Sequence, residues 1–178
     1  MNKINRWLVL LMLPLLLIHG LAGSFTLAGI SSLTLKPVSY ALTLVVILHG
    51  LIGLFLSRDA IRIGLQTGHW YWKENTRFWI VRLSGICIFI LLGFHASAYT
   101  TTVNGVLFLR EFTFLRMLSQ LLFLAAILIH LLAAMRPWLI KLGVLKFRER
   151  TWDYIAVLTI LTAFFTCSIV MYYIYWNF

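Results

Sequence analysis

The sequence is poor in charge and especially poor in acid. Of its 178 residues only 11% are charged, and five are Asp or Glu. A water-soluble domain of this length needs more polar surface than that to cover its core. Because 62% of the residues are hydrophobic, the composition argues against a soluble globular protein. It predicts a chain whose solvent is the membrane and which has almost no mass left for an extramembrane domain.

Cysteine is nearly absent, and so are its usual motifs. Cys87 and Cys167 each stand in an apolar segment with no CxxC neighbour. This spacing gives no disulfide framework and no thiolate metal site, so both are expected to be small buried fillers.

Five apolar segments occupy most of the chain. Each has about the 20 residues that a helix needs to cross the hydrocarbon. They predict an all-α bundle of five transmembrane helices that forms a single domain over residues 1–178. Residues 57–76 and 101–114 are expected to be connections, and Pro137 is expected to end the fourth helix. The predicted helices are 7–29, 38–56, 78–100, 115–136 and 152–175.

The basic residues lie at the ends of the apolar segments. Twelve fall on one side of the predicted bundle and Lys36, Arg110 and Arg116 on the other, which predicts a cytoplasmic N-terminus and an outer C-terminus. This placement favours contact with membrane lipid over nucleic acid, in a bacterial or archaeal cytoplasmic membrane. The twelve are Lys3, Arg6, Arg58, Arg62, Lys73, Arg77, Arg82, Arg136, Lys141, Lys146, Arg148 and Arg150.

Each of the first four segments contains one histidine. These are His19, His49, His95 and His130, while His69 lies in a connection and is expected to be a surface residue. An ionisable side chain at bilayer depth is costly and indicates function. Neutral imidazole is a common axial ligand of haem iron, so four such side chains predict two bis-histidine haems.

The depths of the four histidines group them in twos. At 1.5 Å per residue from the predicted inner helix ends, His19 lies about 18 Å up and His95 about 25 Å, whereas His49 lies about 12 Å up and His130 about 9 Å. We call His19 and His95 the outer pair, and His49 and His130 the inner pair. Their centres differ by about 11 Å in depth, which predicts two stacked haems forming an electron path across the membrane.

Three further roles for the histidines stay open. Zinc would need ligands that converge on one place, often with Cys or a carboxylate. A proton-coupled transporter would more often show an intramembrane Asp or Glu. The imidazoles could also merely pack between helices.

Small and cationic residues stand near the predicted ligands. His19 and His49 are each followed by glycine one and four positions on, a pattern that suits helix packing or the approach of a flat macrocycle. Propionates need cations: Arg82, with Arg77 and Arg136, could serve the inner haem, and Arg116 the outer one. Each arginine could instead anchor its helix at the membrane surface.

Two short patches resemble a known family. Arg82-Leu83-Ser84-Gly85 is similar to the H-R-x-S-G helix entry of the di-haem cytochrome b anchor of succinate:quinone oxidoreductases and fumarate reductases, with Val81 in place of the histidine. The stretch from His130 to Arg136 resembles its H-x-x-x-G-x-R segment, with Ala134 in place of glycine. The resemblance implies ligand pairing of helix one with three and two with four, a propionate or quinone role for Arg82 and Ser84, and close packing at Gly85.

The same resemblance implies partners and a substrate. A flavoprotein and an iron–sulfur protein would dock on the cytoplasmic face, and electrons would pass through two b haems to or from menaquinone or ubiquinone. The chain would then be a quinone-reactive or non-catalytic subunit. Glu111, the one acid on the outer side, is a candidate proton relay for quinone, although it could simply pair with Arg110. A free-standing cytochrome b of the b561 or hydrogenase type, or a haem-free anchor or assembly protein, are the alternatives.

Overall fold

A computed structural model describes residues 3–31, 35–104, 106–145 and 151–178. Lys146, Arg148 and Arg150, which are predicted to be cytoplasmic, lie outside these ranges. The described chain contains six helices and one β-hairpin. In order they are α1 (Lys3–Leu27), α2 (Lys36–Phe55), α3 (Arg58–Thr67), α4 (Thr76–Ala98), β1 (Thr100–Val103), β2 (Val106–Leu109), α5 (Phe114–Lys141) and α6 (Thr151–Asn177).

The five predicted membrane helices are confirmed as helices long and apolar enough to cross a membrane. Their apolar windows have mean hydropathies between 1.9 and 2.2, and the candidate span that begins with α2 is counted through the more polar α3 to Thr67. We call the end of the bundle where α1 begins the inner end, following the predicted orientation. The five helices indicate a membrane protein, and the direction of insertion stays a prediction.

The fourth membrane helix does not end at Pro137, as was predicted. Helix α5 continues through this proline to Lys141. Proline has no N–H, so the carbonyl of Ala133 loses its intrahelical donor. Arg77 replaces that donor, because its Nε donates to the Ala133 carbonyl oxygen at 2.8 Å. The neighbouring helix thus satisfies the group that proline frees, as is common in membrane bundles.

Both predicted connections contain secondary structure. Helix α3 lies within 57–76 and ends at Gly68 in the left-handed conformation, with φ of 70°. Strands β1 and β2 pair antiparallel within 101–114, with Thr100 opposite Leu109. Their β-branched and apolar residues favour a strand, but both elements are too short to stand out beside membrane segments.

The five long helices pack in a ring. Helix α1 packs on α2, α2 on α4, α4 on α5, α5 on α6, and α6 on α1. The helices that carry the four histidines form two hairpins, α1–α2 and α4–α5, and α6 joins α5 to α1. Buried apolar residues form one cluster with Ala98 and Phe112 and another with Leu145 and Tyr154.

The two cysteines are not core fillers. Cys87 and Cys167 are both free and exposed, so that prediction is wrong. In a helix surrounded by lipid an apolar side chain gains little by facing inward, and a segment's hydrophobicity therefore does not tell which of its residues are buried.

Candidate functional site: two pairs of histidines

The structure brings the four intrasegment histidines together in twos. In the outer pair, the ring centroids of His19 on α1 and His95 on α4 are 5.9 Å apart, with ring planes crossing at 76°. In the inner pair, those of His49 on α2 and His130 on α5 are 6.2 Å apart and cross at 87°. These are the groupings that depth along the sequence predicts. Each pair takes one imidazole from each hairpin.

The separations within the pairs suit two imidazoles on opposite sides of one metal. A metal–imidazole nitrogen bond of about 2.0–2.1 Å, plus about 1.1 Å from nitrogen to ring centre, places two trans rings about 6.2–6.4 Å apart. The observed 5.9 and 6.2 Å are within about 0.5 Å of that range. Each pair could therefore hold one metal-centred group between its two imidazoles.

A two-ligand site is also what the donor set allows. No group of three or more His, Cys, Asp or Glu able to hold a metal ion occurs in the described ranges. A structural zinc site takes four protein ligands and a catalytic one three. Haem iron needs axial ligands alone, because its macrocycle supplies the other four nitrogens. The residues present therefore fit haem better than a bare metal ion.

Each imidazole is held at Nδ1 by a polar side chain of the other helix in its hairpin. Within α1–α2, the Nδ1 atom of His19 lies 3.1 Å from the Ser39 hydroxyl, and that of His49 lies 2.7 Å from Oδ1 of Asn5. Within α4–α5, the Nδ1 atom of His95 lies 2.7 Å from Oε1 of Gln120. The remaining contact joins Nδ1 of His130 to the Ser84 hydroxyl at 3.1 Å.

The glycines after His19 and His49 divide into two kinds. A Cβ atom added at Gly20 would lie 2.9 Å from the ring of Phe165, and one at Gly50 would lie 3.4 Å from Phe89. The first position of each pattern therefore serves helix packing. A Cβ added at Gly23 or Gly53 would meet no atom within 4 Å. Because residues four apart share a helix face, this open space adjoins each histidine.

Arg82 lies beside the inner pair. Its Nε donates to the Ser57 hydroxyl, and its guanidinium lies 4.9 Å from the centre of the Phe78 ring. It is close enough to His49 and His130 to interact electrostatically with both. This half-buried cation lies near the inner pair, and its role towards a haem propionate stays a prediction.

The motif residues Ser84 and Gly85 face His130. The Ser84 hydroxyl is the partner of His130, and Gly85 lies against the same ring, where an added Cβ would be 3.6 Å from Cε1. Ser84 and Gly85 were predicted to contact a cofactor or to allow close packing. In the structure both contact the imidazole itself.

The remaining predicted site residues lie farther from the histidines. Arg77 donates to the Ala133 carbonyl near the inner end of α5, and Arg136 lies on the next turn of that helix. Arg116 donates through Nη1 to the carbonyl of Glu111. The Glu111 carboxylate is exposed. Arg58–Asp59 is the ion pair that the described ranges contain. Glu111 and Arg110, both described, therefore do not form the ion pair that was the alternative to a proton relay.

Three residues at the site were not predicted. They are Asn5, which precedes the first predicted segment, Ser39 in the second segment and Gln120 in the fourth. Gln120 and Asn5 are 2% and 7% exposed. A buried amide in an apolar segment is a signal in itself, because it must find a partner.

No family model matches this chain, and no curated protein or solved structure matches it significantly.

Proposed function

We propose that this chain is a di-haem cytochrome b that carries electrons between membrane quinone and a partner on its inner face. The observation that carries the proposal is the separation of the ring centroids, 5.9 Å in one pair and 6.2 Å in the other. Edge-to-face ring packing spans the same distances, so the proposal depends on the distances together with the placement of four imidazoles in two such pairs inside membrane helices. Imidazoles that merely packed would also not need to meet across two hairpins at matched depth.

The spacing of the two levels suits electron transfer between them. On α2, Ser39 marks the outer level and His49 the inner one, ten residues on; on α5, Gln120 and His130 do the same. At 1.5 Å per residue the levels are about 15 Å apart. This is wider than the about 11 Å obtained from predicted helix ends. When bound, a haem at each level would supply one-electron chemistry, while the four helices hold the ligands in place and exclude water.

The resemblance of the motifs suggests which kind of di-haem protein this is. We propose a membrane anchor of the succinate:quinone oxidoreductase or fumarate reductase type, with flavoprotein and iron–sulfur subunits on the cytoplasmic face. Helix α3 supports a partner there: Arg58 and Arg62 are exposed, as are Ile63 at 52% and Leu65 at 71%. Exposed apolar side chains beside cations favour a partner surface that is acidic and partly apolar.

Quinone chemistry also needs a group that moves protons at a membrane surface. Glu111 is exposed just before α5, at the end of the bundle that carries the outer pair. We propose that it relays protons for an outer quinone site. A Glu111→Gln variant should oxidise quinol more slowly while keeping both haems, and full quinol oxidation by that variant would remove Glu111 from the proposal.

The test of the proposed function is the cofactor content of the purified chain. Two haems per chain with a reduced-minus-oxidised spectrum of the b type are expected. Because the ring planes cross at 76° and 87°, both ferric haems should give strongly anisotropic low-spin resonance signals. A chain that binds no haem would be the haem-free anchor instead. Co-purifying flavin and iron–sulfur subunits would distinguish the anchor from a free-standing cytochrome b.

A further inference from the structure

A polar side chain lies at the Nδ1 atom of each of the four paired histidines, and the His130 ring has a further hydrogen bond to the backbone of Val81. We propose that Asn5, Ser39, Ser84 and Gln120 are positioning residues that fix each imidazole in the Nδ1–H tautomer and leave Nε2 to the iron. This inference rests on the proposed function, because it concerns the ligands of the same two haems. It adds that each hairpin holds its own ligands before a haem joins the two hairpins.

The two amides determine the tautomer of one histidine in each pair. Oδ1 of Asn5 can only accept, so His49 must donate from Nδ1 across 2.7 Å. The orientation of Gln120 follows from its second contact: its Nε2 donates to the Ser119 hydroxyl at 3.0 Å. Its Oε1 therefore accepts from Nδ1 of His95, at 2.7 Å.

The two serines lead to the same tautomer by a different route. The Ser84 hydroxyl donates to the Ile80 carbonyl at 2.6 Å, and the Ser39 hydroxyl to the Leu35 carbonyl at 3.3 Å. A hydroxyl has one proton to give. Once that proton is on a carbonyl, the hydroxyl accepts from Nδ1–H of His130 or His19. These contacts place the proton of His49, His95 and His130 on Nδ1. At His19 the Ser39 hydroxyl lies 3.1 Å from the ring and 3.3 Å from the Leu35 carbonyl, and we assign its proton to the carbonyl, which leaves a lone pair on Nε2 of all four rings.

The contacts run crosswise within each hairpin. Helix α1 carries the outer ligand His19 and, through Asn5, holds the inner ligand on α2. Helix α2 in turn carries that inner ligand and, through Ser39, holds His19. Helices α4 and α5 repeat this exchange. A slip of one helix along its neighbour would break both contacts of the hairpin, so the contacts fix the depth of the ligands as well as their tautomer.

The amide contacts offer the sharpest test, because each is expected to act on one haem. The purified full-length chain, freed of haem and titrated with haemin, would be compared as wild type, Asn5→Leu and Gln120→Leu. Loss of a side chain that hydrogen-bonds the second ring nitrogen of a metal-ligating histidine typically lowers metal affinity 10- to 100-fold. We expect Gln120→Leu to lower the affinity for the outer haem alone. Asn5→Leu should lower the affinity for the inner haem alone, although Asn5 lies on the same helix as the outer histidine His19.

A matched control comes from α6. Ser168 is 4% exposed, and its hydroxyl donates to the Phe164 carbonyl at 3.0 Å without reaching a histidine. Ser168→Ala should leave both haem affinities unchanged, whereas Ser84→Ala should weaken the inner haem. Gln120→Glu keeps an acceptor at Nδ1, so it should retain the outer haem. Its negative charge should lower that haem's midpoint potential.

The outcomes separate this inference from the function on which it rests. A wild-type chain that binds no haem contradicts the proposed function. A wild type that binds two, with amide variants of unchanged affinity, contradicts the positioning role and leaves the function standing. The inference would be overturned if Asn5→Leu or Gln120→Leu weakened the binding of both haems equally. It would also be overturned if Gln120→Glu lost the outer haem as completely as Gln120→Leu, because these residues would then act on bundle stability.

Discussion

The outer and inner histidine pairs are alike in geometry and unlike in surroundings. At the outer pair, His95 stacks on Phe123, with centroids 4.9 Å apart and planes at 29°, and meets the ring of Tyr99 at 5.9 Å. Tyr99 in turn stacks on Phe112, which is fully buried. The inner pair has Arg82 nearby, with Ser57 and Ser84 beside it. Both pairs have polar partners at Nδ1, but aromatic rings lie beside the outer pair and a cation lies beside the inner one.

With haem at both pairs, ligand identity alone would not fix the redox behaviour of the two sites. Both pairs would give the same bis-histidine coordination, so their potentials would be set by the electrostatics around them. Reduction of haem removes one positive charge, and a nearby cation therefore favours the reduced form. Arg82 has no carboxylate partner within the described ranges. We expect the inner haem to have the higher midpoint potential.

Loss of a ligand is the largest effect expected. His19→Ala should remove the outer haem and leave the inner one, and His130→Ala should do the reverse, because each iron would lose one of its two protein ligands. Haem content per chain should fall from two to one in each variant. Redox titration would then show the inner, high-potential component after the first substitution and the outer, low-potential component after the second.

His69 supplies the control for these variants. It is exposed in the connection between α3 and α4, and its ring lies 6.3 Å from that of Tyr71. His69→Ala should keep two haems. If His19→Ala and His49→Ala both kept two haems as well, the pairing of ligands would be wrong.

Filling the open space beside a ligand should have the next largest effect. Gly23 and Gly53 adjoin the outer and inner pairs, and an added Cβ meets nothing at either position. Gly23→Leu should therefore be tolerated by the haem-free bundle but should lower occupancy of the outer haem alone. Gly53→Leu should do so for the inner haem. Haem stoichiometry and thermal unfolding of the haem-free chain would measure the two effects separately.

Gly20 provides the contrast. Its added Cβ would lie 2.9 Å from Phe165, so Gly20→Ala should destabilise the haem-free bundle by about 1–3 kcal/mol. Unchanged stability in Gly20→Ala, together with unfolding of Gly23→Leu, would reverse the roles assigned to the two glycine positions.

Removal of the inner cation should reduce the difference in potential between the sites. Arg82→Gln should lower the inner midpoint potential by about 50–100 mV, the size expected for one charge in a partly screened site. The outer potential should hardly move. Arg77→Gln, which removes an exposed arginine that donates to Ala133, should have a smaller effect on either haem. Equal shifts at both sites in Arg82→Gln would contradict the assignment of this arginine to the inner pair.

The sequence predicts the membrane helices and the grouping of histidines because both depend on long-period patterns. A run of about 20 apolar residues and the depth of one polar side chain survive boundary errors of a few residues. Arg82 could be placed beside the inner pair for the same reason. The continuation of α5 through Pro137 was not predicted, and the contact that satisfies the freed Ala133 carbonyl comes from Arg77, 56 residues away.

The partners of the histidines were beyond prediction for a related reason. Asn5 and His49 are 44 residues apart, and His95 and Gln120 are 25 apart. Such contacts depend on the rotation of each helix about its axis. The membrane helices are apolar on all sides, so periodicity gives little information about rotation. The same lack of a polar face explains why Cys87 and Cys167 were wrongly expected to be buried.

The smallest predicted effect tests the aromatic character of the outer site. Phe123 stacks on His95, and such a contact contributes about 0.5–1.5 kcal/mol beyond buried area. Phe123→Leu keeps most of the apolar volume but loses the stacked ring. It should weaken the outer haem about 2- to 10-fold, as measured by haemin titration, because the face of the imidazole would no longer be braced. In the described part of the chain, the ring contact of His49 and His130 is the one they make with each other. Phe123→Leu should therefore leave the affinity for the inner haem unchanged. Weakening of both haems would mean that the two sites are coupled through α5 rather than independent.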